Sequence, residues 1–451
     1  MASNKINFLT ILKVLSTALL AWPCRSFAAK PVIKINYLAE YNKLTKPKNY
    51  DPNENAAFLY QKAFEAFVEM PEAIKQKANQ SPIDLNDSEI ATLRNWLNSN
   101  AECFEYFSKA VKKPYYWVER HAKDNDKAEL DYPELDSIRK LNYTVAWQAK
   151  LEVFDGKSIA AFENLFDLYM MGAHLSGNKA LMDQLTGLAI CGSSFKTTFS
   201  ILTEHKIDPD KLAFLQRKFE KELLDRRYEV NYSKAELLFA FDCIQRVFTD
   251  DGNGNGKLIP GAYAEETKSS VKAEDGSSLA VSYSKALLIS LTHPDRKETT
   301  ELAEKLYKQL NCLCKHTPWK LHEKKTTYIK EINNMTKGNY FFNHGSSSMG
   351  LVFELEYRYK AHADAIISTI AVLRYKADKD QLPQQLDELI SAGYLQNLPM
   401  DPYSDKPLVY KKTEDNFILY SVGANFKDDG GVHSDNWEEN DHIFWPVQLS
   451  Q

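Results

Sequence analysis

From Glu54 to about Lys315, apolar residues return at the spacing of an α-helix, and this periodicity narrows the fold more than any other feature of the chain. Asn55 to Phe67 puts apolar or small side chains at i, i+3, i+4 and i+7, the stripe of an amphipathic helix that packs one face. Asp87 or Ser88 caps a second helix, with Ile90, Leu93, Trp96 and Leu97 on one stripe. Leu141 to Phe154, the turn Asp155-Gly156-Lys157 and Ser158 to Leu175 predict a helical hairpin. Ser176-Gly177-Asn178 then breaks the chain before Ala180 to Leu202. Further helices are predicted over Asp208 to Asp225, Ser233 to Phe248 and Arg296 to Cys314.

Helices of ~15 residues alternating with short Gly, Asp or Asn turns are the pattern of stacked antiparallel pairs. The arm from Trp147 through Gly156 to Phe162 resembles a tetratricopeptide hairpin, although no repeat recurs at a fixed period. The expectation is an irregular antiparallel helical array. Such arrays present long grooves and more often bind than catalyse, so a protein or an envelope polymer is the expected occupant. Gly261 to Ser284 is polar and turn-rich and is expected to be a loop. Thr336 to Gly350 is expected to be a second loop and a domain boundary.

Past that boundary the pattern changes. One long helix is predicted from about Leu351 to Tyr375, with Leu355, Ala361, Ala365, Ile366, Thr369, Ile370 and Leu373 spaced for burial. Leu382-Pro383 opens a short helix, Gln384 to Ile390. Strands follow at Pro407 to Lys411 and Asn416 to Ser421, around the turn Lys412 to Asp415. The chain therefore reads as mainly α: a helical array over 29–350, then a small α+β unit over 351–451.

The first 28 residues have the pattern of a cleavable signal peptide. Lys5 supplies the positive start, Val14 to Trp22 an apolar core, Pro23 a helix stop, and Ser26-Phe27-Ala28 small residues at −3 and −1. An extracytoplasmic protein, periplasmic or secreted, is the expectation. No later apolar run reaches the ~20 residues needed to span a bilayer. A net charge of −5 argues against a nucleic-acid partner, which calls for a basic excess. Of six cysteines, Cys24 falls in the leader, leaving Cys103, Cys191, Cys243, Cys312 and Cys314. That odd number in an oxidising compartment leaves at least one thiol unpaired or bridged to another chain. Cys312-x-Cys314 lacks the two-residue spacing of zinc knuckles and redox motifs.

The tail carries an ordered set of motifs. These are Leu373-Arg374-Tyr375-Lys376, Leu382-Pro383, Leu386-Asp387-Glu388-Leu389, Leu398-Pro399-Met400-Asp401-Pro402-Tyr403-Ser404-Asp405-Lys406-Pro407, Leu419-Tyr420-Ser421-Val422-Gly423-Ala424-Asn425 and Asp428-Asp429-Gly430-Gly431. Over roughly the last ninety residues this resembles the globular head of type II secretion major pseudopilins, which have a long helix, an Asp-Pro turn and a Tyr-Ser-Leu-Gly segment before an acidic tail. The stem is different. Glu354, Glu356, Arg358, Lys360, His362 and Asp364 rule out the apolar anchor helix of a pseudopilin. The whole layout also resembles a group of exported bacterial proteins, abundant in planctomycetes, that share the ENAAxLYxKA start, a DDGNG loop and this tail.

Two stretches have the oxygen ligands that calcium takes, six to eight at flexible geometry. The pseudopilin resemblance implies calcium in the loop after Gly423, with Asp428, Asp429, Asp435 and Asp441 as candidate ligands. Asp251, Asn253 and Asn255 match positions 1, 3 and 5 of an EF-hand loop, with Gly256 at 6. Position 12 is Ala262, however; only Glu265 or Glu266 could close the site, and no clear helix is predicted to follow. Catalytic patterns are poor. Ser346-Ser347-Ser348-Met349-Gly350 lacks the first glycine and the preceding strand of a nucleophile elbow, and the histidines show no zinc-hydrolase spacing. Charges such as Arg217, Lys218, Glu220 and Lys221 read as a solvated helix face. The expected function is non-catalytic binding by an exported protein with a calcium-stabilised tail. The alternatives are an exported hydrolase of envelope polymer and an accessory subunit of a secretion or pilus system.

Overall fold

The computed structural model describes residues 30–77, 80–123, 130–225, 230, 232, 234–270, 281–343 and 346–447. The expected signal peptide lies outside the described residues. In chain order the helices are α1 (Tyr37–Thr45), α2 (Ala57–Glu65), α3 (Glu72–Lys75), α4 (Asp87–Ser99), α5 (Ala101–Ala110), α6 (Glu134–Phe154), α7 (Ser158–Ala173), α8 (Leu181–Glu204) and α9 (Pro209–Asp225). They continue as α10 (Lys234–Val247), α11 (Pro260–Ser270), α12 (Tyr283–Thr292), α13 (Arg296–Leu313), α14 (Pro318–Glu323), α15 (Tyr328–Met335), α16 (Tyr340–Asn343), α17 (Ser346–Lys379) and α18 (Asp387–Ser391). Five short strands close the chain: β1 (Met400–Asp401), β2 (Lys406–Pro407), β3 (Val409–Lys412), β4 (Phe417–Ser421) and β5 (His442–Trp445). The fold is mainly α with a small antiparallel sheet near the C-terminus, as the sequence predicts.

Local chemistry explains where the helix ends fall. The cap of α4 is Asn86, one residue before the expected position. Its side chain accepts the Glu89 N–H at 3.0 Å, and the Glu89 carboxylate accepts the Asn86 N–H at 3.0 Å, closing a capping box. Asp295 and Glu298 do the same for α13. The first arm of the hairpin starts at Glu134 rather than Leu141, and Glu134 and Asp136 set negative charge against its N-terminal dipole.

Two expected loops are partly helical. Pro260 takes the first position of α11, where its missing N–H costs nothing, and Tyr263 and Ala264 bury behind it. Tyr283 then opens α12, and residues 271–280 lie outside the described set. Within 336–350, α16 and the first turn of α17 are formed. Helix α17 runs for 34 residues, well beyond the expected Leu351 to Tyr375. The short helix after Pro383 covers Asp387–Ser391 instead of Gln384 to Ile390.

Helix α17 is the axis of the molecule. Its Ala361, Ala365, Ile366, Thr369 and Ile370 are fully buried. Each isoleucine there is worth roughly 1.5–3 kcal/mol of burial. One apolar cluster passes from Phe107, Leu165, Phe195 and Phe219 through Ile366 and Ile370 to Leu389, Tyr403, Phe417 and Phe444. Helical array and sheet thus share a core. A second cluster joins Ile244, Leu306, Leu310 and Ile332 to Phe353 and Tyr357 at the start of the same helix. The position expected for a boundary falls inside α17. Beyond it, β3, β4 and β5 form an antiparallel sheet in that order, with Val409 opposite Tyr420 and Ser421 opposite His442, and β1 pairs with β2 as a separate ribbon. Among the described residues no helix is long and apolar enough to cross a membrane.

Candidate functional site

The tail motifs meet at Asp401, which is fully buried. Its carboxylate accepts the N–H of Tyr403 at 3.0 Å, the N–H of Val422 at 3.0 Å and the hydroxyl of Ser421 at 2.8 Å. The Asp-Pro turn is thereby tied to the Tyr-Ser-x-Gly segment. Burial pushes the carboxyl of Asp401 up, and these donors pull against it. Gly423 follows with φ +71°; a Cβ there would stand 2.5 Å from the Asn440 carbonyl oxygen, so no other residue fits this approach.

That approach delivers the acidic turn. Asp441, also fully buried, accepts the N–H of Gly431 at 2.7 Å and of Asp429 at 3.2 Å. Asp428 accepts the Tyr420 hydroxyl at 2.7 Å and the Gly430 N–H at 3.0 Å. Burial works against ionising Asp428, but those two donors together with the Lys411 ammonium outweigh it and hold the carboxyl below its usual range. Asp441 is pushed up, by burial first and then by the negative charges of Asp428 and Asp429, against the two N–H groups. The fold therefore brings Asp428, Asp429 and Asp441 to one turn. Asp435 stands apart, exposed and 3.3 Å from His433 Nε2. Trp437 is buried and stacks on His442 at 4.2 Å, with the Arg358 guanidinium of α17 lying 5.6 Å over its ring, which pins the turn to the long helix.

The second acidic stretch is organised differently. Asp250 pairs with Lys34 at 2.8 Å and with Arg296 at 3.0 Å. The Lys34 ammonium and then the Gly252 N–H hold its carboxyl down at about 2. Asp251 accepts the N–H groups of Asn253 at 2.8 Å and Asn255 at 3.1 Å through one oxygen, and the Asn255 amide at 3.2 Å through the other. Contrary to the sequence reading, a helix does follow: α11 carries Ala262, Glu265 and Glu266. Among the described residues no three His, Cys, Asp or Glu side chains converge as a metal-ligating group. Among the described residues, the five cysteines are all free thiols.

A groove of about 520 Å³ opens between α9, α17 and the segment Leu395 to Met400, within the ~300–1,000 Å³ typical of ligand clefts. Lys360, Asp364 and Ile367 enter it from α17 at i, i+4 and i+7, and Glu220 enters from α9. Glu220 is not the solvated charge expected from sequence. The buried amide of Gln216 donates to its carboxylate at 2.7 Å and to the Tyr394 carbonyl at 2.6 Å, while Arg374 donates to Gln216 at 2.8 Å. Lys360 meets Glu356, itself buried, at 2.7 Å.

A buried cluster of charged groups lies elsewhere. Buried Arg120 bridges Glu134 and, at 2.6 Å, buried Asp183, with its guanidinium 4.3 Å over the Tyr132 ring. Burial pushes Lys179 down to about 8, and its ammonium donates to the carbonyls of Tyr116 and His174. The adjoining cavity holds about 10 Å³, no more than one water, so this cluster is a clamp between α1, α6 and α8 and not a substrate site. Neither the clamp nor Asp401's role shows in local sequence pattern; a charge inside an otherwise apolar helical stripe, as at Asp183, is the one available signal. No protein-family model, curated protein or solved structure matches the chain.

Proposed function

We propose that this is an exported, non-catalytic binding protein whose ligand occupies the groove between α9 and α17. The observation that carries the reading is Glu220, a groove carboxylate aimed by a buried glutamine that is itself fixed by Arg374 and the Tyr394 carbonyl. A side chain oriented through a second layer of hydrogen bonds is how binding sites are kept in shape. A panel of dipeptides, aminosugars and polyamines screened by thermal melting should yield ligands that raise the melting temperature. Asn397→Trp, from an exposed position on the groove's edge, should remove those shifts. A panel without effect, or shifts that survive the tryptophan, would dismiss the groove. Glu220 and Asp364 together also serve the hydrolase alternative; release of reducing ends from cell-envelope polymer, lost in Glu220→Gln, would favour it.

In the same reading the acidic turn takes calcium. The support is the turn that Asp428, Asp429 and Asp441 share, where burial first and then the charges of Asp428 and Asp429 raise the Asp441 carboxyl, a charge that a cation would offset. At millimolar calcium a site with a Kd of ~0.1 mM stabilises by roughly 1.4 kcal/mol. Melting in calcium against chelator should show that gain, and Asp428→Asn should erase it. Equal melting temperatures would remove calcium from the proposal.

A further inference from the structure

Away from the groove, a corner of aromatic rings already holds a cation. Lys46 caps the C-terminus of α1, where a positive charge meets the helix dipole favourably. That placement requires no aromatic partner. Yet its ammonium lies 4.5 Å from the centre of the Tyr50 ring and 5.1 Å from that of Trp117. The two rings stand edge to face, 71° apart with centroids at 5.3 Å, so the ammonium sits in the corner they make. Pairings such as Lys62 over Phe58 in α2 and Lys109 over Tyr106 in α5 join neighbours along one helix. At Lys46 the second wall comes from a distant segment.

Both walls are held from behind. Trp117 donates its indole N–H to the Thr45 hydroxyl at 3.2 Å. The buried amide of Asn55 accepts the Trp117 backbone N–H at 2.9 Å and donates to the Trp117 carbonyl at 2.7 Å. Tyr115 backs the Tyr50 ring at 6.2 Å, and its hydroxyl exchanges hydrogen bonds of 2.7 Å with the backbone of Asp51. Tyr50 and Trp117 are half-buried and Lys46 is exposed, so the corner opens to solvent.

We propose that Tyr50 and Trp117 form an aromatic cage for a quaternary ammonium group, with Lys46 as its tethered stand-in. The ring faces carry negative charge density and attract a cation lying over them. A primary ammonium is strongly hydrated, and this one stays in the corner because the chain holds it there. A free ligand has no tether. The favoured class is therefore one that gives up little water, a trimethylammonium group whose methyls also fill the corner as apolar contacts. This cage is separate from the groove and stands or falls without it.

The test uses the full chain with nitrogen-labelled tryptophan, titrated with choline and with its uncharged carbon analogue dimethylbutanol. The readout is the Trp117 indole N–H resonance, assigned by its loss in Trp117→Phe. Choline should shift it saturably, and dimethylbutanol should bind at least about fivefold more weakly. Lys46→Ala vacates the corner and should tighten choline by about fivefold. Tyr50→Leu, checked for native circular dichroism, should abolish the shift. Sedimentation with phosphatidylcholine but not phosphatidylglycerol vesicles, lost in Tyr50→Leu, would identify a membrane headgroup as the source; choline binding without it would identify a free solute. No saturable shift, a neutral analogue that binds as well as choline, or a Lys46→Ala variant of unchanged affinity would overturn the cage.

Discussion

Asp401→Ala is expected to destabilise the C-terminal unit by about 3–5 kcal/mol, the range for removing one side of a buried, hydrogen-bonded charged site. The reason is the number of donors left without an acceptor: the N–H groups of Tyr403 and Val422 and the hydroxyl of Ser421 all lose their partner in a site closed to water. Asp401→Asn keeps one carbonyl oxygen for those donors but turns an amide N–H₂ toward the rest, so about half the loss is expected. Chemical unfolding followed by tryptophan emission reads this directly, since Trp437 and Trp445 are buried in this unit. An alanine variant within 1 kcal/mol of the parent, on the order of an ordinary surface substitution, would mean the motifs are not held together through this carboxylate.

Arg120→Met should be comparably damaging near neutral pH, again by about 3–5 kcal/mol, because it strands Asp183 and Glu134 without their cation. Its pH dependence separates it from a packing defect. Burial already pushes the carboxyl of Asp183 up, and Arg120 and then Lys179 pull it back. Without the guanidinium the folded-state value rises further above that of the unfolded chain, ~3.9. A carboxyl raised in the folded state contributes stability that is present below the unfolded value and lost as pH rises through the folded one. The deficit relative to the parent should therefore be smaller at pH 5 than at pH 8. A deficit independent of pH would show that lost packing of the guanidinium, and not stranded charge, is the cause.

How much of this was legible follows from the range of each interaction. The helices could be read because their signal is local, and Leu93, Trp96, Ile366 and Ile370 all bury where their spacing put them. The strands β3 and β4 were legible for the same reason, as two runs around a polar turn. Errors came where composition stood in for geometry. Residues 261–270 are polar enough to look like a loop, yet Pro260 and Tyr263 are placed as a helix start requires. What remained hidden joins distant positions. Asp401 meets residues 20 and 21 positions away, Arg120 meets Asp183 63 away, and Gln216 reaches Tyr394 178 away. Nothing in a helix face distinguishes Glu220 from a solvated charge until α17 is laid beside it.

Helix α17 has a consequence for how this protein can be dissected. In sequence the last hundred residues look like a module that any helical stem could carry. In the folded chain one side of α17 is the floor of the sheet and another is the wall against α8 and α9. A fragment cut at 351 would keep its strands but bare Ile366 and Ile370 to water. A fragment ending there would lose the strut that fills its own centre. The tail is therefore not a portable part, and the protein must be expressed, swapped and engineered as one piece.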